Sequence, residues 1–168
     1  MSTTKTNENL MASFAGESQA NRKYLAFAQK AEKEGKEKIA LLFKTVAEAE
    51  TIHALKHFET AGKVGSTMDN LKSAIEGETE EFTNMYPGFI EEAKQEGQTA
   101  AGRSLNLANE AEKVHAELFK KALAALEGGG DLEVEGFYLC PVCGYVAPDH
   151  APDKCPICGA PAKSFKNV

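Results

Sequence analysis

Four things are scarce in this 168-residue chain, and each scarcity narrows what it does. No stretch approaches the roughly 18 consecutive apolar residues of a membrane-crossing helix, so no span is expected. No run of basic residues offsets a net charge of −6 and a pI near 5.3. Nucleic acid and anionic membrane both want a cationic face, so neither is expected as a partner. Met1 to Leu10 is polar and lacks the apolar core of a secretory leader, which points to the cytoplasm. Cysteine is absent before position 140, and all four cysteines fall between Cys140 and Cys158. In a cytoplasmic chain, pairs crowded in this way read as metal ligands rather than disulfides.

The remaining sequence is helical in pattern. Apolar residues at threes and fours predict helices over 7–34, 36–61, 69–96 and 98–126, ended by Gly35, Gly62, Gly97 and the run Gly128-Gly129-Gly130. On the second helix, Ile39, Leu42, Phe43, Val46, Ala49, Ile52 and His53 form one broad face. A loop covers 62–68, with Thr67 or Asp69 as cap of the third helix. Pro87 lies inside that helix and is expected to free a carbonyl near Thr83 and bend the axis. Rods of about 40 Å suggest a long four-helix bundle, with helices 1–2 and 3–4 as antiparallel hairpins. Asp131 to Glu135 alternates like a strand. The change of composition near 128–135 divides the chain into 1–130 and 131–168.

The two hairpins look like copies of one another. Gly16-Glu17 matches Gly77-Glu78, Glu34-Gly35 matches Glu96-Gly97, and Glu50-Thr51-Ile52-His53 matches Glu112-Lys113-Val114-His115, at offsets of 61 or 62. Three residues on a helix is about one turn, so each Glu-x-x-His pair projects from one face. Two such helices, with a glutamate from each of two others, make a dinuclear metal site in helix bundles. Glu17 and Glu78 are the matching glutamates, about as far from their glycine turns as Glu50 and Glu112. Glu81 sits one turn beyond Glu78. The expected set is Glu17, Glu50, His53, Glu78, Glu81, Glu112 and His115.

A lone helical glutamate is usually a solvated charge, and Glu48, Glu80 and Glu110, about 200° around from the candidates, are read that way. The candidates differ in having small or apolar neighbours, among them Phe14, Ala20, Val46, Ala54, Phe82, Ala108 and Ala116. Inward carboxylates without cations cost several kcal/mol each, and two metal ions remove that cost. The mixed carboxylate–imidazole shell fits iron or manganese, since zinc takes fewer ligands. His57 is read as a surface or supporting residue. Tyr24 and Tyr86 hold matching places, seven and eight residues after Glu17 and Glu78. They are either core aromatics or hydrogen-bond donors to the ligands.

Cys140-Pro141-Val142-Cys143-Gly144-Tyr145 and Cys155-Pro156-Ile157-Cys158-Gly159-Ala160 form two near-identical knuckles. Four thiolates serve a structural zinc or a single redox iron. The wording of the knuckles leans toward iron, shielded by Tyr138, Tyr145 and Phe165.

With Phe14-Ala15-Gly16-Glu17-Ser18-Gln19-Ala20, Glu50-x-x-His53, Gly77-Glu78-x-x-Glu81, Met85-Tyr86-Pro87, Glu112-x-x-His115 and the cysteine module in that order, the chain resembles the rubrerythrin family over essentially its whole length. The resemblance implies an all-α ferritin-like four-helix bundle with two non-haem irons, followed by a small rubredoxin-like domain with one tetrathiolate iron. It implies a hydrogen peroxide reductase, served by a reduced donor such as rubredoxin or a NAD(P)H-dependent reductase, in a homodimer. It also implies that Glu50 and Glu112 bridge the irons, with Glu17 on the first and Glu78 and His115 on the second. Glu81 and His53 would exchange on the first as its oxidation state changes. Two rival readings stand beside it. One is a ferroxidase or iron-handling protein, and the other a helical adaptor with a structural zinc ribbon.

Overall fold

The computed structural model describes residues 4–168. The three residues before Thr4, part of the polar N-terminal stretch and of the expected 1–130 segment, lie outside it. The chain folds as two compact units, Met1–Gly65 and Ser66–Val168.

The first unit is a helical hairpin of α1 (Lys5–Lys33) and α2 (Glu37–Thr60). Thr4 caps α1 by accepting from the Asn7 N–H. At the turn, Gly35 takes φ +70°, which a side chain resists. There the Gly35 N–H bonds the Glu32 carbonyl at 2.9 Å and the Lys36 N–H bonds Ala31 at 2.8 Å. So short a turn forces α2 back along α1.

The seam between them is built from small residues. Ala28 and Ala31 on α1, and Ala40, Ala47 and Ala54 at seven-residue steps on α2, are all buried. Asn21 spans the seam, donating to the Ala47 carbonyl at 2.6 Å and to Thr51 Oγ1 at 2.7 Å. Phe14 and Phe58 pack at 4.6 Å, and Tyr24 and Phe27 surround Phe43. The broad apolar face expected on α2 is largely open within this unit. Ile39 is 51% exposed and Leu42 and Ile52 are each 63% exposed. Alanines admit the close backbone approach, and the larger side chains flank the seam instead of filling it.

The second unit contains α3 (Thr67–Glu80), a π-helical turn (Glu81–Met85), α4 (Tyr86–Gln95) and α5 (Thr99–Glu127). Neither Thr67 nor Asp69 is the cap of α3. Ser66 is, with its Oγ accepting from the Asp69 N–H at 3.2 Å while the Asp69 carboxylate takes the Ser66 N–H at 3.3 Å. At Gly97, φ +69°, a second tight turn sends α5 back along α3 and α4.

Pro87 acts as expected in kind but not in form. It has no N–H to give and its ring crowds the carbonyl one turn back. The helix answers by widening, and the Tyr86 N–H reaches back five residues to the Glu81 carbonyl. This is also where the two repeats change offset, since Tyr86 follows Glu78 by one residue more than Tyr24 follows Glu17. One extra residue in a continuous α-helix would rotate Tyr86 by about 100°. The wide turn stores that residue and keeps Tyr86 on the side of Glu78.

After Gly128 and Gly129, Asp131 to Glu135 forms no strand, contrary to expectation. Alternation alone does not make a strand where no ladder partner runs alongside. The Glu135 N–H is taken instead by Asp149 Oδ1 at 3.0 Å. The sheet begins at β1 (Phe137–Leu139) and orders as β2 (Val146–Pro148), β1, β3 (Lys166–Asn167), all antiparallel.

Candidate metal centres

In the first unit, Glu17, Glu50 and His53 bring ligand atoms within 4.8 Å of one another. Glu17 and Glu50 meet because they stand nearly equally far from Gly35. His53 Nδ1 lies 3.0 Å from Glu50 Oε2, with 57% of its side chain exposed.

The second unit repeats the arrangement with Glu78, Glu112 and His115. His115 Nδ1 is 2.7 Å from Glu112 Oε2 and 3.5 Å from Glu78 Oε2. All three are largely covered, and Glu78 Oε2 is buried with no hydrogen-bond partner. Burial first, then the neighbouring Glu112, pushes the Glu78 carboxyl up to about 7. Burial also raises Glu81, with Glu112 adding to it. Glu81 stands beside the cluster without joining it. The seven expected ligands are thus gathered as three and three, each set within its own unit, with Glu81 next to the second.

The other ring nitrogen of His115 explains what the cluster is built for. Nε2 lies 2.9 Å from the Gly144 carbonyl, which can only accept, so Nε2 carries the proton. In neutral imidazole that leaves the Nδ1 lone pair aimed at two carboxylates. Only a cation between them, a proton or a metal, makes the arrangement favourable. Burial pulls His115 down, but the Gly144 carbonyl and the two carboxylates outweigh it and its net shift is upward. A divalent ion at Nδ1, with the orphaned Glu78 oxygen beside it, fits this donor set.

Tyr86 faces the same acids. Burial and then Glu112, Glu81 and Glu78 hold its phenol above the usual range, so it stays protonated and able to donate. Tyr24 lies among Phe27 and Phe43. Glu80 and Glu48 are exposed, and Glu110 pairs with Lys113, as read from their helical angle.

The four cysteines gather at one point. Cys140 and Cys158 sulfurs are 3.5 Å apart, as are those of Cys143 and Cys155, and all four lie within 4.8 Å of each other. These distances are far too long for the roughly 2.05 Å of a disulfide. They suit a tetrahedral ion about 2.3 Å from each sulfur, which spaces the sulfurs about 3.8 Å apart. Gly144 and Gly159 take φ +83° and +78°, allowing each knuckle to fold back on its cysteines. Burial raises the Cys155 thiol, yet N–H groups of Cys158 and Ile157 outweigh it and bring it down to about 7, toward the thiolate a metal needs. Tyr145, which follows the first knuckle, packs edge to face with Phe165 at 6.3 Å.

The hydrogen bond from His115 to Gly144 is the functional contact the sequence conceals, because a backbone carbonyl leaves no side-chain mark. Also unannounced is an apolar groove of about 450 Å³ lined by Leu71, Leu118, Phe119 and Phe137 that reaches Glu78 and His115. Among the described residues, no helix is long and apolar enough to cross a membrane.

Known proteins resemble the chain along its length. The sequence profile described as "Rubrerythrin" matches residues 8–123, and that described as "Rubrerythrin, rubredoxin-like domain" matches residues 138–166. Rubrerythrin-2 of Clostridium acetobutylicum is 38% identical, over 96% of this chain and 95% of its own. Nigerythrin of Nitratidesulfovibrio vulgaris is 37% identical, over 95% and 85%. Among solved structures, nigerythrin in a mixed-valence state is similar with a TM-score of 0.58 at 37% identity, covering 100% of this chain and 88% of that one. Fully reduced, all-ferrous nigerythrin gives 0.59 at 36%, covering 100% and 89%. Clusters and relatives agree: this chain belongs to the rubrerythrin family, with a ferritin-like all-α fold, a rubredoxin-like tail, and a di-iron centre and one tetrathiolate iron as its cofactors.

Proposed function

We propose that the protein is an oxidoreductase that reduces hydrogen peroxide to water, takes its electrons through the four-cysteine site, and so protects against oxidative stress. One observation carries this reading. His115 belongs to an acid–imidazole cluster and at the same time bonds the knuckle that follows Cys143. An iron store needs no such link to a redox site.

In this reading, residues 1–130 hold the dinuclear centre and 131–168 the single iron. Glu17, Glu50, His53, Glu78, Glu81, Glu112 and His115 would be its ligands, with Glu50 and Glu112 the pair that the resemblance assigns to both irons. Cys140, Cys143, Cys155 and Cys158 hold the third iron. Bound iron supplies the two electrons that break the O–O bond. Glu81, outside the compact cluster, and His53, more than half exposed, are the least confined of these side chains, which would suit the alternation between them that the resemblance implies. The apolar groove at Glu78 and His115 admits a small neutral molecule more readily than an ion. Tyr86 offers a proton toward the carboxylates. The donor is a reduced carrier such as rubredoxin or a NAD(P)H-dependent reductase, and the assembly a homodimer in the cytoplasm.

Anaerobic reduction followed by one equivalent of peroxide tests the reading, with rapid reoxidation of the dinuclear centre expected. Slow reaction with peroxide, fast reaction with oxygen and iron well above three per chain would instead identify a ferroxidase. Zinc in the tail and no colour would mark an adaptor.

A further inference from the structure

Each acid–imidazole triad is one half of a dinuclear centre. Glu17, Glu50 and His53 stand on the α1–α2 hairpin, and Glu78, Glu112 and His115 on α3 and α5. A dinuclear site in a helix bundle needs both sets around one pair of ions. The hairpin holds its half open. On α2, Ile39, Leu42, Val46, Glu50 and His53 share one stripe, within about 80° of one another. Of these, Ile39, Leu42 and His53 are more than half exposed. An apolar stripe that carries two metal ligands and lies open is a surface waiting for a second helix pair.

The connection between α2 and α3 decides which helix pair that is. A ferritin-like bundle has one long crossover. The joints at Gly35 and Gly97 are tight turns, so the crossover falls between α2 and α3. When Glu50 and Glu78 stand at one level, Thr60 lies ten residues past it and Thr67 eleven residues before it. In the ferritin-like topology those two residues sit at opposite ends of the bundle, about 30 Å apart along its axis. Only Ala61 to Ser66 joins them. Fully extended, that segment reaches about 24 Å. It is far from extended. The N–H groups of Ala61, Gly62 and Lys63 turn back onto the carbonyls of His57, Glu59 and Phe58, and Ser66 is fixed as the cap of α3. A ferritin-like bundle closed within one chain is out of reach.

We infer that the α1–α2 hairpin of each chain packs on α3, α4 and α5 of a second copy, so that two chains exchange hairpins and build two dinuclear centres between them. This rests on the dinuclear reading of the ligands. Each centre takes Glu17, Glu50 and His53 from one chain and Glu78, Glu81, Glu112 and His115 from the other. The open stripe of α2 is then covered by the second chain. A single chain holds no complete centre, so iron beyond that of the tail belongs to the pair, and the ions help to hold the pair together.

Two full-length variants, tagged differently and co-expressed, decide the matter without any measurement of peroxide. One carries Glu50→Ala with His53→Ala, and the other Glu112→Ala with His115→Ala. Iron beyond that of the red tail is measured in each variant alone and in the hybrid isolated through both tags. With exchanged hairpins the hybrid has one centre with both triads intact and one with neither. It should hold half the native dinuclear iron, while each variant alone holds almost none. A hybrid as empty as the separate variants would overturn the exchange, since a bundle closed within one chain would always keep a damaged triad. Native protein with no iron beyond its tail would instead sink the dinuclear reading.

Native chains answer the question of exchange by themselves, even where the variants do not fold. Zinc-loaded protein is refolded from an equal mixture of 13C-labelled and unlabelled chains. Isotope-filtered nuclear Overhauser contacts should run from the Ile39 and Leu42 methyl groups of a labelled chain to α3 or α5 of an unlabelled one. Contacts from these methyl groups to α3 or α5 found only within a labelled chain would overturn the exchange.

Discussion

His115 and Gly144, 29 residues apart in sequence, meet through a 2.9 Å hydrogen bond that joins an acid–imidazole cluster to a four-cysteine knuckle. One imidazole thereby offers a protonated nitrogen to the knuckle and a bare one to the acids. Separate changes to the acids, the thiols, the helix seam and the wide turn should each be felt differently.

Glu78 makes metal-free stability depend on pH. The folded chain keeps its proton up to about pH 7, held by burial and then by Glu112, whereas the ordinary value is 4.5. Between these values the unfolded state binds fewer protons, so stability falls as pH rises across the window. Urea unfolding of chelator-treated protein at several pH values should show this fall. Glu78→Gln should flatten it and also lower iron content.

Cys155→Ser should abolish the red tetrathiolate colour and leave the helices standing. The tail sheet and the knuckles are held by one ion, and a structural ion of this type contributes binding energy directly to folding. Far-ultraviolet circular dichroism should therefore stay near native, while the tail becomes sensitive to protease.

Asn21 donates two hydrogen bonds across the α1–α2 seam and is only 8% exposed. Asn21→Ala removes both bonds, leaving Thr51 Oγ1 only its longer bond to the Ala47 carbonyl at 3.3 Å, and opens a void. A loss of about 1–3 kcal/mol is expected by denaturant unfolding. A neutral result would mean that water replaces the amide at no cost.

Deletion of Asn84 tests the wide turn. Removing one residue restores the spacing seen between Glu17 and Tyr24, so the wide turn should close, leaving only the bend that Pro87 imposes, with Tyr86 still facing the acids. Iron content should stay native, and the five-residue hydrogen bond from Tyr86 to Glu81 should disappear from amide exchange. Loss of iron would show that the turn does more than store a residue.

Much of the site was legible because helices impose arithmetic. Glu50 and His53, or Glu112 and His115, share a face at any three-residue spacing, and glycine turns at 35 and 97 set Glu17 beside Glu50 and Glu78 beside Glu112. The cysteine pairs were equally plain, since two Cys-x-x-Cys knuckles at that spacing are the pattern of a four-thiolate metal site. The cap of α3 was misjudged because Ser, Thr and Asp within four residues all qualify, and only backbone geometry selects Ser66. Which residues of α2 line the seam with α1 was not legible, because hydrophobicity ranks leucine above alanine, whereas a close seam selects for size.

From residue order alone came the four helices, the repeat, the ligand types and the metal-binding tail, all set by periodicities and spacings within one or two turns of chain. Tertiary structure alone decided that Glu81 stands apart from its cluster, that Pro87 is absorbed as a π turn, and that a glycine carbonyl orients His115. Each of those depends on atoms brought together from distant segments or on backbone groups that every residue shares, and neither leaves a trace in the identity of a side chain.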